Sequence, residues 1–554
     1  MKINILQILI LFLIIFHTDN NFAQTVTNNF IKSTTVLVPN ITTTTQLNNL
    51  PNTSTRKQLS YFDGLGRPEL SIIIQGSPNG YDIISSNIYD QLGRTDTQYM
   101  AYTANQNNGS YLSTNVANAQ IKQFYNNPSD ASIQATTAPY SIKVYENSPL
   151  SRVLTQTFPG QAWQAGNNGH PQSFFYSNNT NADSIKLWSV TYFNGAINGS
   201  ACNEFYNAGQ LYKTTTTDEN NSMVIEYKDK TGLVVCKKTQ DGANSYATTY
   251  YIYDDYNNLA YVLPPNISTI NGFSEKDTNF NYYIYGYHYD NQRRLIEKKI
   301  PGKNGWDMMV YNKANQLVLN SNSQQRADGY WIFNKYDGLG RIIQIGKFID
   351  NRSRVELQDY INTDMVYYER KNYNNKLGYT NTALPLITDT NLILVTNFYD
   401  NYDFLNNELL NAIGGASSFF NAPADVNIKA NGAQGLLVFT KVQVLGSYIN
   451  LGSGGTGGLN ANSSTAQYLY SMNLYDRNGR VVKIVKTNYI NGADIYDNSY
   501  NFVGELTTTK RTVYINNNFS SSNLVIQTNI NYDRMGRKTG TKMIINNGSE
   551  VQTD

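Results

Sequence analysis

The sequence predicts an all-β protein in which antiparallel hairpins stack side by side and share one long sheet. Three observations predict this. A six-residue pattern, aromatic-Asp-x-x-Gly-Arg, recurs along the chain; its flanks alternate aromatic and polar residues at period two; and the composition disfavours helices. Tyr numbers 44 while charged residues make up 15%. Uncharged polar residues alternating with aromatics suit strands with one wet and one dry face.

The turn comes first. It is written "YFDGLGRP" at 61–68, "YDQLGR" at 89–94, "YDGLGR" at 336–341, "YDRNGR" at 475–480 and "YDRMGR" at 532–537. The fixed residues are Asp63, Gly66 and Arg67; Asp90, Gly93 and Arg94; Asp337, Gly340 and Arg341; Asp476, Gly479 and Arg480; and Asp533, Gly536 and Arg537. The two residues between Asp and Gly vary freely, reaching Arg-Met in the last copy, which a loop cradling a phosphate would not tolerate. Asp at the first position can accept bonds from backbone N–H groups beyond it. Gly three places later supplies the positive φ of a type I turn with a G1 bulge. Degenerate copies put Asn257 ("YDDYNN") and Asn315 ("YNKANQ") in the glycine place, and Asn is the next-best residue there. "YKDKTG" keeps Asp229 and Gly232, whereas "YDNQRR" places Arg293 at the position and predicts a turn that is strained or built differently. The repeated arginine has two readings, an ion pair with its own turn's Asp or a stack on a neighbouring tyrosine. Pro68 removes a ladder donor, predicting a sheet edge or bulge at the first copy.

The flanks read as strands. "TTYYIYD" sets Tyr251 and Tyr253 on one face and Tyr250 and Ile252 on the other, and "YLYSMNLYD" aligns Tyr468, Tyr470, Met472 and Leu474. A lone hairpin is unstable in water, so the units must share a sheet. Their spacing is irregular, and insertions such as "LGSGGTGGLNANSST" at 451–465 read as projecting loops. The best helix is "TNVANAQIKQFYNNP": Thr114 can cap it, Ala117, Ile121, Phe124 and Tyr125 form a stripe, and Pro128 stops it. It is expected to cover part of a sheet.

The chain begins with Lys2 and the apolar run Ile5 to Phe16, followed by a cleavage candidate after Ala23, although Asn21 fits the usual small residue poorly. Residues 1–23 are expected to be a signal peptide, with an uncleaved anchor as the alternative. No later segment reaches the ~20 apolar residues of a membrane-spanning helix, so a secreted or cell-surface protein is expected. At 554 residues the chain is too long for one compact core, and a leader domain over 24–200 followed by repeats over 201–554 is expected. Formal net charge is +2, from 43 basic and 41 acidic residues, which gives no footprint for nucleic acid or an anionic membrane. Cys202 and Cys236 are the only cysteines; an oxidising compartment permits a bridge between them, and two independent buried thiols are the competing reading. Beyond the signal only His170 and His288 remain, so neither a metal nor a cofactor is expected.

No reaction is legible. Carboxylates such as Asp254–Asp255 or Glu69 sit in or beside turns, which is a poor base for a glycosidase pair. A Ser–His–Asp site would need His170, in loop-like "GNNGHPQ", or His288, inside strand-like "YGYHYD", and the chain lacks a G-x-S-x-G elbow. Catalysis is therefore not expected. Tyr and Trp beside Asn and Gln also suit a sugar-binding surface, against the reading of the tyrosines as cross-strand ladders. Trp163, Trp188, Trp306 and Trp331 are spread too widely to define one platform.

The units resemble YD repeats, the signature of Rhs and teneurin-type proteins. The stretches "SYFDGLGRPELSIIIQGSPNGYDIISSNIYDQLGR" and "YENSPLSRVLTQTFPGQAWQ" also resemble an uncharacterised leader domain of secreted Rhs-type proteins from Bacteroidetes-like bacteria. "YIYDDYNNLAYVLPP", "YHYDNQRRLIEKKIPG", "WIFNKYDGLGRIIQIG" and "NLYDRNGRVVKI" are similar to the repeats that follow in that family. The resemblance implies a sheet winding into a hollow shell that encloses a C-terminal polymorphic toxin, closed by a core with an Asp-Pro autoproteolytic motif. That motif does not follow "YDRMGRKTG", so a shell portion, truncated or acting alone, is expected. Its partner would be the missing core and toxin or a separate effector in interbacterial competition. The alternative is a carbohydrate-binding or adhesion module with glycan partners.

Overall fold

The computed structural model describes residues 28–552 apart from 167–168, 244, 375–376, 406, 421–432, 445–467 and 547. The expected signal peptide at 1–23 and the glycine-rich insertion at 451–465 lie outside the described residues. Strand accounts for 44% of the described residues and helix for 13%, and the strand pairings are antiparallel. Contacts divide the chain into two compact units, Met1–Phe175 with Thr216–Ser222, and Tyr176–Thr215 with Met223–Asp554.

In the first unit, Asn29–Val36, Thr55–Phe62, Pro68–Ile73 and Ile83–Tyr89 pair in chain order. Thr95–Tyr99, Tyr140–Tyr145 and Val153–Gln156 continue from Ile83–Tyr89. The helix Thr114–Asn126 lays Ala117, Ile121 and Tyr125 into a core with Leu59, Tyr61, Leu70, Ile72 and Ile84. Its N-cap is Ser113 rather than Thr114, whose hydroxyl instead donates to Glu69. Pro68 lies at a bulge, opposite Phe62. Its strand is not an edge, because it pairs on both sides.

The second unit is a meander. From Met223–Lys228 to Val551–Gln552 each strand pairs with the next along the chain, except Gly272–Ser274, which joins Lys186–Phe193 and Ala196–Phe205 in a separate three-stranded sheet. Such local pairing keeps loop-closure entropy low. Alternation at period two sorts the side chains: in Tyr330–Tyr336, Trp331 and Phe333 are buried while Ile332 and Asn334 are half-buried. Long excursions between strands add cover. One of them contains the helix Arg354–Asn362, which has a full capping box from Ser353 and Glu356 and buries Leu357 and Ile361 with Trp331 and Phe333. Its capping signature, "SRVE", stands in the sequence, but the helix went unread there. Cys202 and Cys236 are both buried free thiols, on Ala196–Phe205 and Val234–Gln240, and burial pushes the Cys236 thiol up to about 12.

One charged cluster pins an excursion to this sheet. His288, on Tyr285–Tyr289, faces Glu297 across the ladder and bonds its Oε2 through Nδ1 at 2.7 Å, while Nε2 meets Glu275 Oε1 at 2.8 Å. Trp306 stacks on the ring at 4.4 Å, and Arg354 approaches the other oxygen of Glu297 at 3.4 Å. Burial opposes the imidazolium, but the two carboxylates overrule it and raise the pKa to about 9. A group whose folded pKa is raised contributes stability that is fully present below its ordinary value and lost as pH rises through the folded one. The thermal midpoint of the wild type should therefore exceed that of His288→Gln at pH 6, and the gap should shrink as pH rises through about 9. A gap independent of pH in a melting series would contradict the clamp.

Candidate functional site

The recurrent turn is one structure made many times. At Asp63 the backbone N–H donates to the Arg67 carbonyl at 3.0 Å and Gly66 N–H donates back to Asp63 O at 3.0 Å. The carboxylate then closes the loop from inside. Its Oδ1 accepts Leu65 N–H and Arg67 N–H, both at 2.9 Å, and Oδ2 accepts Arg67 Nε at 2.7 Å. These donors, the Arg67 backbone first, hold the Asp63 carboxyl below the usual carboxylate range. The same bonds recur at Asp90–Arg94, Asp337–Arg341, Asp476–Arg480 and Asp533–Arg537. Gly66, Gly93, Gly340, Gly479 and Gly536 all have φ between 75° and 79°. A register shift sits just before the aromatic residue of each copy, the mark of the bulge.

The degenerate copies keep the geometry and change the chemistry. Asn257 and Asn315 take φ of 63° and 60°. Asn312 replaces the carboxylate with a carboxamide whose Oδ1 accepts Ala314 N–H and Gln316 N–H at 3.0 Å, while its Nδ2 donates to Gln316 Oε1 at 2.7 Å. The Arg293 copy is not built differently: Arg293 adopts φ of 60°, and Asp290 Oδ2 accepts Arg294 Nε at 2.7 Å as elsewhere. The turn overrides the residue's own preference. Two further copies escaped sequence reading, Asp218–Ser222 with Asn221 at φ 63° and Asn501–Glu505 with Gly504 at φ 92°. An Asp or Asn three places before Asn or Gly would have found both.

In five copies the arginine does both jobs proposed for it, since its guanidinium also lies over the tyrosine of the next hairpin. Arg67 covers Tyr89 at 4.3 Å, Arg94 covers Tyr145 at 4.5 Å, Arg294 covers Tyr311 at 4.9 Å, Arg341 covers Tyr399 at 4.4 Å and Arg480 covers Tyr500 at 5.0 Å. The covered tyrosine reaches past the arginine to the carbonyl of the residue just after the turn. Tyr89 donates to Pro68 O at 2.9 Å, Tyr311 to Leu295 O at 2.8 Å, Tyr399 to Ile342 O at 3.1 Å and Tyr500 to Val481 O at 3.0 Å. Tyr253, Tyr336, Tyr475 and Tyr532 make the equivalent bond, to Val234, Leu317, Leu437 and Leu506. In five copies an Asn two places before the tyrosine donates to the same oxygen: Asn87, Asn334, Asn397, Asn473 and Asn498. Successive hairpins are thus latched to one another by a tyrosine hydroxyl, joined in some copies by the stacked ring, in others by the amide, and at Tyr89, Tyr399 and Tyr500 by all three. At Tyr399 a longer connection replaces the tight turn, and Arg341 spans both, holding Asp337 at 2.7 Å and Asp400 bidentately at 2.8 and 2.7 Å. Arg341 pulls the Asp400 carboxyl down to about 2.

The residues weighed for chemistry are dispersed. Asp254 closes its own turn, and the adjacent Asp255 accepts Tyr192 Oη at 2.8 Å. Glu69 accepts Tyr111 Oη at 3.1 Å, and His170 bonds the Glu219 carbonyl at 2.8 Å. Trp188 and Trp306 pack against one core cluster, Trp331 belongs to another, and Trp163 is exposed. No group of three His, Cys, Asp or Glu suited to a metal occurs among the described residues.

Fold and latch together define a class: a multi-hairpin β protein assembled from turn-linked, sequentially locked units. Residues 33–178 match a domain of unknown function, DUF6443. No curated protein matches the chain. Among solved structures it is similar to TcdB2-TccC3 without its hypervariable C-terminal region, at 12% identity and a TM-score of 0.42, covering 88% of this chain and 20% of that one. It is also similar to TcdB2-TccC3-Cdc42, at 13% identity and 0.41, covering 90% and 22%. A Tc holotoxin pore of Photorhabdus luminescens gives 12% and 0.39, covering 88% and 20%. The chain spans about a fifth of the length of those chains.

The turn makes a direct prediction about backbone strain. Relief of the left-handed conformation by Arg293→Gly should stabilise the protein by about 1 kcal/mol, and Gly340→Ala should cost a similar amount. Space for the added methyl is ample at Gly340, so that cost would be conformational. Urea unfolding of both variants checks this, and an Arg293→Gly variant less stable than wild type would contradict it.

Proposed function

We propose that this chain is a structural scaffold, a shell portion of a secreted Rhs/YD-repeat protein that walls in a polypeptide cargo and is not an enzyme. The observation that carries the reading is the latch: it repeats from hairpin to hairpin and gathers no reactive groups. A wall has to extend without gaps and keep register over many strands, and a ring-and-hydroxyl tie between successive hairpins supplies that. The match of residues 33–178 to DUF6443 and the ordered series of turns that continues to Asp533 are consistent with a leader followed by shell repeats. Half-buried ion pairs such as Arg341–Asp337 and Arg341–Asp400 contribute little energy singly and serve here to fix geometry. The segment 1–23 directs the chain out of the cytoplasm, and the cargo is a toxin or effector polypeptide, continuous with the shell or separate from it.

The test uses the natural gene product collected from the medium of producing cells. Trypsin treatment with and without denaturant should reveal a polypeptide that survives digestion until the sheet is unfolded. Absence of any protected polypeptide would overturn enclosure. Selective hits for the same material on a glycan array would favour adhesion instead.

A further inference from the structure

Lysine is a poor occupant of the dry face of a sheet, yet Lys335 occupies one. It continues the buried face of Tyr330–Tyr336 after Trp331 and Phe333. Its side chain is 1% exposed, and that of its partner Glu369 is 0%. The Lys335 Nζ donates to Glu369 Oε1 at 2.6 Å, to the side-chain oxygen Oδ1 of Asn381 at 2.7 Å and to the Ala383 carbonyl at 3.0 Å. A charge pair alone would need only two of these groups. The third is a carboxamide, and its carbonyl carbon is one bond from the oxygen that the amine touches.

Both ends of that carboxamide are held. Asn381 Oδ1 accepts Ile387 N–H at 3.0 Å, and Nδ2 donates to the Ile387 carbonyl at 2.8 Å. The carboxylate is fixed as well, by Thr380 Oγ1 at 2.6 Å, Thr382 N–H at 3.0 Å, Thr382 Oγ1 at 3.1 Å and Ala383 N–H at 3.0 Å. An amine, an oriented amide and a carboxylate therefore meet in a water-poor site, which is the condition for high effective concentration.

We propose that Lys335 and Asn381 are joined by an intramolecular amide bond, formed by the chain itself with Glu369 as the proton carrier. Glu369 takes a proton from the Lys335 ammonium and leaves a neutral amine, whose nitrogen attacks Cγ of Asn381. The new C–N bond forms, and the charge that develops on Oδ1 is met by the Ile387 N–H, which serves as an oxyanion donor. Glu369 passes its proton to Nδ2, the Cγ–Nδ2 bond breaks, and ammonia departs. The remaining extra proton of the attacking nitrogen leaves with it, so that lysine ammonium and carboxamide become a secondary amide and ammonium ion, and the carboxylate is restored. No oxidant or cofactor enters the balance. Burial lowers the Lys335 pKa against the upward pull of Glu369, which makes the neutral amine easier to reach. The product would tie a strand of the meander to the excursion that crosses it, linking residues 46 positions apart.

Peptide mapping of the full-length wild-type protein, digested after denaturation, tests the bond without any variant. Expected is a linked pair of peptides containing Lys335 and Asn381, lighter than their sum by one ammonia. Separate, unmodified peptides, with Lys335 open to acetylation in denaturant, would overturn the proposal. The loss must be located in that pair, because Gln24 also sheds ammonia on cyclising if cleavage after Ala23 exposes it. Glu369→Gln and Lys335→Arg should leave the two segments unlinked. A linked Glu369→Gln protein would overturn the proton-carrier role assigned to Glu369.

Discussion

Arg67, Arg94, Arg294, Arg341 and Arg480 each serve two hairpins at once, and the rest of the structure depends on that. In each, Nε closes the residue's own turn on the aspartate, while the guanidinium plane supports the tyrosine of the next hairpin. Because the tyrosine must also reach the carbonyl just past the turn, the next hairpin can dock in only one register. A slip by one residue would exchange the buried and wet faces of every later strand. Arginine suits this better than lysine, since a planar fork can bond in its plane and stack on its face.

The constraint also explains what varies. The two residues between Asp and Gly change from copy to copy, and Leu65, Leu92 and Leu339 there are largely exposed. Where the aspartate is lost, as at Asn312, an amide pair replaces the ion pair with the same reach. Where a tight turn gives way to a longer connection, at Asp400, the arginine of the preceding turn reaches across to hold it. Glycine is preferred at the left-handed position, but Arg293 shows that the surrounding bonds can impose it.

The fold was legible in the sequence to the extent that its signals were local. Asp, Gly and period-two aromatics lie within a few residues of each other, so the hairpins at Asp63, Asp337 and Asp476 could be read directly. The acceptor carbonyls and the Asn donors could not, because Val481 and Asn498 meet only after two strands have paired. The Asn-x-Tyr spacing was present in the sequence, but its meaning depends on a partner in another hairpin. The helix Arg354–Asn362 went unread although Ser353 and Glu356 form a capping box, because its apolar stripe is short beside the flanking strands. Lys335 was hidden for a different reason. A lysine in an alternating strand reads as a solvent-facing residue, and only the crossing excursion buries it. His288 likewise required Glu275, from outside its own hairpin, to become an imidazolium clamp.

The dependence of successive hairpins on one another is measured most directly by a double-mutant cycle on Arg480→Ala and Tyr500→Leu, followed by urea unfolding of the full chain. A coupling of about 0.5–2 kcal/mol between the two sites is expected if the stack and the register it sets act as one unit. Strictly additive losses would contradict the latch, and would leave the tyrosine and arginine as independent parts of two separate hairpins.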